Sequence, residues 1–472
     1  HQTIAVVGPG ADEPALGDYC TDFDTGHMVT VLEGIRRLAG AGRTVLYEKG
    51  CSYLGESIQP FPSAWLVDEQ GNPGLTARYY NGWEMQGEPV VTRNDPVVRF
   101  NWIYAKPHPD LQADCFSAVW TGTLKVPESF AGCIAIPGQD SMRLYVDGSL
   151  VIDGWHRGGA QADRSRTADF VYEAGKSYDV RLEFCNDARG ARVLFGYNKG
   201  RENWNPAVAL VKKADVAVVC LGDNVETSGE NFDRTDLNLP GRQLDFLKEI
   251  AAVGTPIVLV LQNGRPLSLT WEQENIPAIL ECWFPGEKGG LAIAEVLFGK
   301  TAPSGRLPMS FPKSVGQVPC NYNRLPGGGV RYVEMDWNPL YPFGYGLTYT
   351  TFVYSSLQIE GDGLSAREVE EGAQVRVSFI VTNTGDCFGE ETAQVYLRDM
   401  VSCTVKPLKE LAGFAKTALH PSESRKVEIA IGRRQMRTLD RRYEWHVEPG
   451  AFQVMVGDNA ANVLLSGKFM IV

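Results

Sequence analysis

The sequence contains no C-x2-C pair, no cluster of Lys and Arg, and no uninterrupted apolar run near the ~18 residues of a membrane-spanning helix. The first absence excludes a zinc ribbon or a thioredoxin-like motif. The second removes nucleic acid and anionic lipid from the main partners, because 45 basic against 57 acidic side chains leave a net charge of −12. The third excludes a transmembrane helix. Cysteine is also too sparse, at 10 in 472 residues, for a disulfide scaffold. Several cysteines sit in apolar strand-like runs, as Cys220 does in VAVVCLG, where a buried free thiol is the plain reading.

What is present fits a globular chain of two to four domains at ~100–200 residues each. Residues 4–7 (IAVV) read as a buried strand leading into the turn GPGA. In VTVLEGIRRLAG, Val31, Leu32, Ile35 and Leu38 share one helical face. TVLYEKG returns to a strand. This α/β pattern stops after about residue 60 and resumes near 206 with ADVAVVCLG. PGRQLDFLKEIAAVG reads as a helix over 240–254, opened by Pro240 and closed by Gly254. Strands follow at 256–264 and 276–286, then a helix at 286–299.

Between the two α/β stretches, runs such as LTARYYNG, FSAVWTGTLKVP and KSYDVRLEFCN alternate with turns and show no helical period. Beyond residue 350, QVRVSFIVTNTG, ETAQVYLRD and AFQVMVGD alternate in period two, as a β-sandwich requires. The expected fold is therefore multidomain. An α/β sandwich (1–65 and 205–345) is interrupted by an all-β insert (66–204) and followed by a fibronectin type III-like β-sandwich (350–472).

GPG at 8–10 invites a dinucleotide reading, but Glu13 stands where G-x-G-x-x-G needs its third glycine. The chain opens HQTIAVVGPG, with a strand at the fourth residue. That start is expected of a chain from which a leader was removed, or of one cut from something longer.

Several ordered motifs resemble glycoside hydrolase family 3. They are VVGPGADEPALGDY, ETSGENFDRTDLNLPGRQ, FPGEKGGLAIAEVLFGKTAPSGRLPMSFP, YPFGYGLTYTTF and KPLKELAGF. The insert resembles the anthrax-protective-antigen-type carbohydrate module through GLTARYYNG, SAVWTGTLKVP and DSMRLYVDGSLVIDGW. The first resemblance implies a β-glucosidase-like enzyme. It also implies a preceding (β/α)8-type barrel that carries the nucleophilic Asp, and no eightfold strand–helix alternation is present here. The barrel is accordingly an expected partner polypeptide or a portion lying outside this chain.

Retaining glycoside hydrolysis uses two carboxyl groups ~5–5.5 Å apart, one a nucleophile and one an acid/base. In SGENFDR, Glu230 follows a buried strand, and the frame Glu230-Asn231-Phe232-Asp233-Arg234 matches the family's Glu-Gly-aromatic-Asp-Arg with Asn231 for glycine. The resemblance makes Glu230 the acid/base and Glu226 the second choice. Asp233 and Arg234 are expected to pair and hold the loop. Tyr19 and Phe23, in GDYCTDFDTG, are candidates for stacking on a pyranose. Trp155, His156 and Arg157, in the Gly-rich loop of the insert, are candidate sugar contacts. Asp147-Gly148 signals a hairpin, and Asp140 and Asp147 fit the module's frame. No Asp-Asp pair occurs, which disfavours a calcium lectin.

The expected function is a retaining β-glycosidase, most readily a β-glucosidase, with this chain supplying the acid/base. A non-catalytic carbohydrate-binding protein is the alternative. No cofactor and no metal are expected. The expected partners are β-linked glucosides or related oligosaccharides and the barrel polypeptide, not nucleic acid or membrane, with a homo-oligomer left open. A secreted or periplasmic location is favoured over a cytoplasmic one.

Overall fold

The computed structural model describes residues 2–20, 25–54, 58–102, 106–112, 115–138, 140–155, 166–186, 191–200, 202–225, 227–327 and 331–472. It comprises two compact units. One joins the first 53 residues to residues 204–472, and the other is 54–203.

The first unit begins with a five-stranded parallel sheet: β1 (Gln2–Val7), β2 (Arg43–Glu48), β3 (Val216–Gly222), β4 (Ile257–Gln262) and β5 (Ala278–Glu281). Their order across the sheet is β5-β4-β3-β1-β2. Helices α1 (Val31–Ala39), α2 (Asn205–Val211), α3 (Gln243–Ala251), α4 (Thr270–Asn275) and α5 (Gly289–Leu297) cover both faces. Both sides of the central strands are therefore buried, which is why they read as unbroken apolar runs. Ile4, Val6, Val218 and Cys220 face Val31, Leu32, Ile35 and Ile293 of α1 and α5. Ala5, Val7, Val219 and Leu221 face Ala207, Phe246 and Leu247 of α2 and α3. Each such fully buried Val, Leu or Phe contributes ~1.5–3 kcal/mol.

The helix ends follow local chemistry. Thr30 caps α1 by accepting the Glu33 N–H at 3.2 Å, and Arg36 and Arg37 lie in its last turn, where the helix dipole favours cations. Pro240 stands in the loop before α3, so this helix is shorter at both ends than the 240–254 pattern predicts. Strand 276–286 contracts to Ala278–Glu281. It is an edge strand, and Trp283 just beyond it turns the chain away with φ +52°.

The rest of this unit is a β-sandwich. Strands Phe352–Glu360, Val375–Asn383 and Ser424–Ile431 form one antiparallel sheet; Glu410–Leu419, Gly389–Asp399, Gly450–Gly457 and Val463–Ile471 form the other. Val377, Phe379, Val395, Phe452, Val454 and Phe469 fill the space between them.

In the second unit, a seven-stranded and a four-stranded sheet share a core that includes Trp120, Tyr172, Phe184 and Phe195. The unit begins at Leu54, earlier than the expected 66. The reason is that Gln59–Pro60 pairs with Gly196–Asn198, and Phe61 packs on the Phe195 and Tyr197 rings at 4.7 and 5.0 Å. Asp147 and Gly148 both have positive φ (+48° and +75°) and turn a hairpin, and Asp147 also accepts the Asp179 N–H at 2.8 Å. The Asp140 carbonyl accepts from the buried Arg166 guanidinium. All ten cysteines are free thiols; Cys51, Cys133, Cys185 and Cys220 are buried, whereas Cys20 and Cys403 are exposed.

Candidate active site

The strand order decides where chemistry can sit. From β1 the chain crosses by α1 to β2, and from β3 it crosses by α3, on the other face, to β4. The two connections diverge, so the C-terminal ends of the neighbouring strands β1 and β3 open a crevice. The loop after β3 carries Glu230, and the loop after β1 carries Asp18 and Tyr19.

The base of the Glu230 loop is fixed by a buried amide. Gln243, fully buried in α3, donates from Nε2 to the Gly222 and Tyr53 carbonyls at 2.9 Å each. Its Oε1 accepts the Gly222 N–H at 2.8 Å. The amide is thus satisfied at both ends, and α3 is clipped to the end of β3.

The tip is held from two sides. Asp18 Oδ2 accepts the Glu230 N–H at 3.1 Å, and a Cβ on Gly229 would come within 2.7 Å of that same oxygen. A side chain there would force Asp18 aside. From the loop after β4, Arg265 Nη1 donates to the Phe232 carbonyl at 3.2 Å and Nη2 to the Thr227 carbonyl at 3.2 Å. These carbonyls bracket Glu230, so one guanidinium ties both shoulders of the loop. Asn231 has φ +64°, a left-handed conformation open to Gly and Asn but costly for most residues. The Glu230 side chain is exposed.

Beneath the loop lies buried Asp223. Arg234 Nη1 stands 3.4 Å from its Oδ1, and Arg265 Nε 3.9 Å from its Oδ2. Burial pushes the Asp223 carboxyl above the usual range, and the Thr227 hydroxyl and then the two arginines pull it back. Glu281, at the end of β5, accepts the Trp283 N–H at 2.9 Å and an Asn263 side-chain N–H at 3.3 Å. Burial first, and the Asp223 charge second among the raising causes, push its carboxyl up to about 8.

Tyr19 is 65% exposed and has φ +60°, a strained state for a non-glycine residue, with its N–H bonded to Asp18 Oδ1 at 3.0 Å. Trp155, in the β unit, lies under the Arg143 guanidinium at 4.9 Å. Phe23, His156, Arg157 and Glu226 lie outside the described residues. Arg234 holds the loop, but not through Asp233. Its ion pairs are with Asp223 and Asp236, and it also donates to the Asn238 carbonyl at 2.8 Å. Asp233 is exposed, whereas Arg234 is half-buried.

The model of the glycosyl hydrolase family 3 C-terminal domain matches residues 1–349. The chain belongs to glycosyl hydrolase family 3. A fibronectin type III-like domain model matches residues 391–460. Among curated relatives, a periplasmic beta-glucosidase of Salmonella typhimurium is 41% identical over 268 residues, covering 54% of this chain and 34% of the relative. A beta-glucosidase of Rhizobium radiobacter is 29% identical over 98% of this chain and 58% of its own length. The solved beta-glucosidase of Kluyveromyces marxianus in complex with glucose covers the whole chain with 59% of its own length, at 27% identity and a TM-score of 0.74. The chain spans between 34% and 59% of the curated relatives it matches.

Within this family member, the sequence motif singled out Glu230 and Arg234 but not Asp18, Asp223, Arg265 or Glu281. Two of these had a signal. Asp223 directly follows a buried strand in VAVVCLGD, and Arg265 follows another in LVLQNGR. A charged residue just past a buried parallel strand is aimed at the binding edge of the sheet.

Proposed function

We propose that this chain is the acid/base half of a retaining β-glycosidase, most readily a β-glucosidase, whose nucleophile stands on a barrel domain outside it. The observation that carries the reading is Glu230, exposed at the switch point on a loop anchored by Asp18, Arg265 and Gln243. The names of the glucosidase relatives support the substrate class, and a xylosidase relative of Formosa agariphila keeps β-xylosides within it. A location outside the cytoplasm agrees with the periplasmic relative.

In the first step the barrel carboxylate attacks the anomeric carbon, the glycosidic C–O bond breaks, and Glu230 gives its proton to the departing oxygen. In the second step Glu230 takes a proton from water, which displaces the carboxylate. An exposed Glu on an anchored loop suits both steps, because it must meet bulk water and the sugar in turn. Tyr19 offers an exposed ring for the apolar face of a pyranose.

The test is Glu230→Gln in the enzyme assembled with its barrel. Turnover of unactivated glycosides should fall ~10²–10⁴-fold. Aryl glycosides with good leaving groups should lose less in the first step, and azide should restore turnover by attacking the glycosyl-enzyme. If Glu226→Gln shows this pattern and Glu230→Gln does not, Glu226 is the acid/base.

A further inference from the structure

Far along the chain from the Glu230 loop, the fibronectin-like sandwich brings together a set of side chains that glycoside hydrolysis does not use. Cys403 lies in the segment after Gly389–Asp399, His446 in the short strand Trp445–His446, and Glu448 just beyond it. One donor atom from each falls within 4.8 Å of the other two. We propose that Cys403, His446 and Glu448 bind a borderline divalent cation of the zinc class.

The geometry between His446 and Glu448 carries the argument. His446 Nδ1 stands 3.4 Å from the Glu444 carbonyl, a contact that orients the ring. Nε2 lies on the far side of the ring. It faces Glu448 Oε1 at 3.5 Å. For a metal with bonds of ~2.0–2.1 Å to N and O, the edge of the tetrahedron is ~3.3 Å, which the observed separation approaches. It is longer than an ordinary charge-assisted hydrogen bond of ~2.7–2.9 Å.

The other donors are oriented as metal ligands commonly are, by partners at their far ends. Glu448 Oε2 accepts the Ser402 hydroxyl at 3.1 Å and the Cys403 N–H at 3.0 Å, which leaves Oε1 directed at the imidazole. The Cys403 N–H bond also keeps that residue's thiol beside the same carboxylate. Thr404 Oγ1 donates to the Leu439 carbonyl at 3.0 Å and fastens the Cys403 segment to the strand paired with His446. Charge balances too: a thiolate, a carboxylate and a neutral imidazole offset a divalent cation. The thiolate disfavours magnesium and calcium, which take oxygen ligands. Three protein donors leave a fourth tetrahedral position for water or a further ligand.

No sequence motif announces this set. Cys403 is remote in the chain from His446-x-Glu448, and the β-sandwich alone joins them, which is why no metal is expected from the sequence.

The test uses the full chain, stripped with a chelator and titrated with Co²⁺ and then with Zn²⁺. Co²⁺ should bind one-to-one and give a thiolate-to-cobalt charge-transfer band, which Zn²⁺ should bleach. Cys403→Ser should remove the band, while Cys387→Ser, a cysteine of the same sandwich outside the set, should keep it. Glu448→Gln preserves the shape of the side chain and its contacts, and should weaken binding about tenfold or more, as should His446→Ala. Zn²⁺ should raise the melting temperature of the parent and not of Cys403→Ser. A Co²⁺ band that survives Cys403→Ser, or a parent that neither binds Co²⁺ nor shifts with Zn²⁺, overturns the proposal and leaves His446–Glu448 as an ordinary ion pair.

Discussion

Two buried arginine–carboxylate clusters in the first unit are built to opposite standards. Where the α/β part meets the sandwich, Glu391 accepts the Arg306 guanidinium at 2.7 Å and the Tyr354 hydroxyl at 2.6 Å. Both carboxylate oxygens are taken. At the edge of the parallel sheet, Asp223 stands 3.4 and 3.9 Å from its arginines. Among the described residues, no hydrogen bond reaches Asp223 Oδ2, Asn263 Oδ1, Gln262 Oε1 or Arg265 Nε. The first cluster leaves one such atom, Arg306 Nε. At ~1–3 kcal/mol for each buried polar atom without a partner, the second cluster stores more instability than the first. The tight pair joins two parts of the fold. The loose one lies under the loop that carries Glu230; in the proposed function, groups beside a substrate keep some bonding capacity in reserve.

The comparison is tested most severely by removing one arginine from each cluster. Arg306→Ala leaves Glu391 buried beside Tyr354 with no counter-charge, and should destabilise the fold by ~3–5 kcal/mol. Arg265→Ala removes a partner already distant from Asp223, so thermal stability should fall far less. It also unties the carbonyls of Thr227 and Phe232, and so should lower kcat of the assembled enzyme more than it raises KM. Thermal melting and steady-state kinetics on both variants give the answer. Equal losses of stability, or an unchanged kcat in Arg265→Ala, would show the two clusters to be alike.

A pH series sharpens the same contrast. Glu281 has its carboxyl pushed up to about 8 from an ordinary 4.5, so the folded state holds a proton that the unfolded state has lost between those values. Stability from this group is therefore full below about 4.5 and is lost as pH rises toward 8. Glu281→Gln cannot ionise. It should match the parent at low pH and exceed it at pH 8 and above by about 1 kcal/mol or more, since each tenfold change in proton affinity is worth ~1.4 kcal/mol. Chemical denaturation at pH 5 and pH 8.5 measures the crossover. A constant difference between the two proteins across that range would mean that Glu281 is not held protonated.

How much of this was legible depends on the distance over which each feature is encoded. The face of α1 is local, and Val31, Leu32 and Ile35 are buried as the spacing predicts, with Leu38 at the margin. The Glu230 frame is local too. Its supports are not: Asp18 and Arg265 come from the loops after two different strands, β1 and β4, and only the order β5-β4-β3-β1-β2 brings those loops to the Glu230 loop. Sheet order has no signature in hydrophobic period. Arg234 marks the boundary between the two cases. A neighbour in sequence, Asp233, was the natural partner, but Asp233 stays exposed and Arg234 reaches back to the buried Asp223 instead.

The smallest expected effect tests whether the loop is held in one shape for catalysis or merely tolerated in it. Asn231 adopts φ +64° immediately after Glu230. A Cβ-bearing residue that lacks the short polar side chain of Asn meets a penalty there of about 1 kcal/mol or more. The side chain is exposed, so Asn231→Ala removes no core contact. The loop can escape the penalty by letting its tip relax while the sheet stays folded. The loss should therefore appear in kcat of the assembled enzyme, by roughly fivefold for 1 kcal/mol, and hardly at all in the melting temperature. Asn231→Gly accepts the same backbone angle without strain and should keep most of the activity. If Ala and Gly at this position give equal kcat, the left-handed turn is incidental, and the clamp from Arg265 and Asp18 alone sets where Glu230 points.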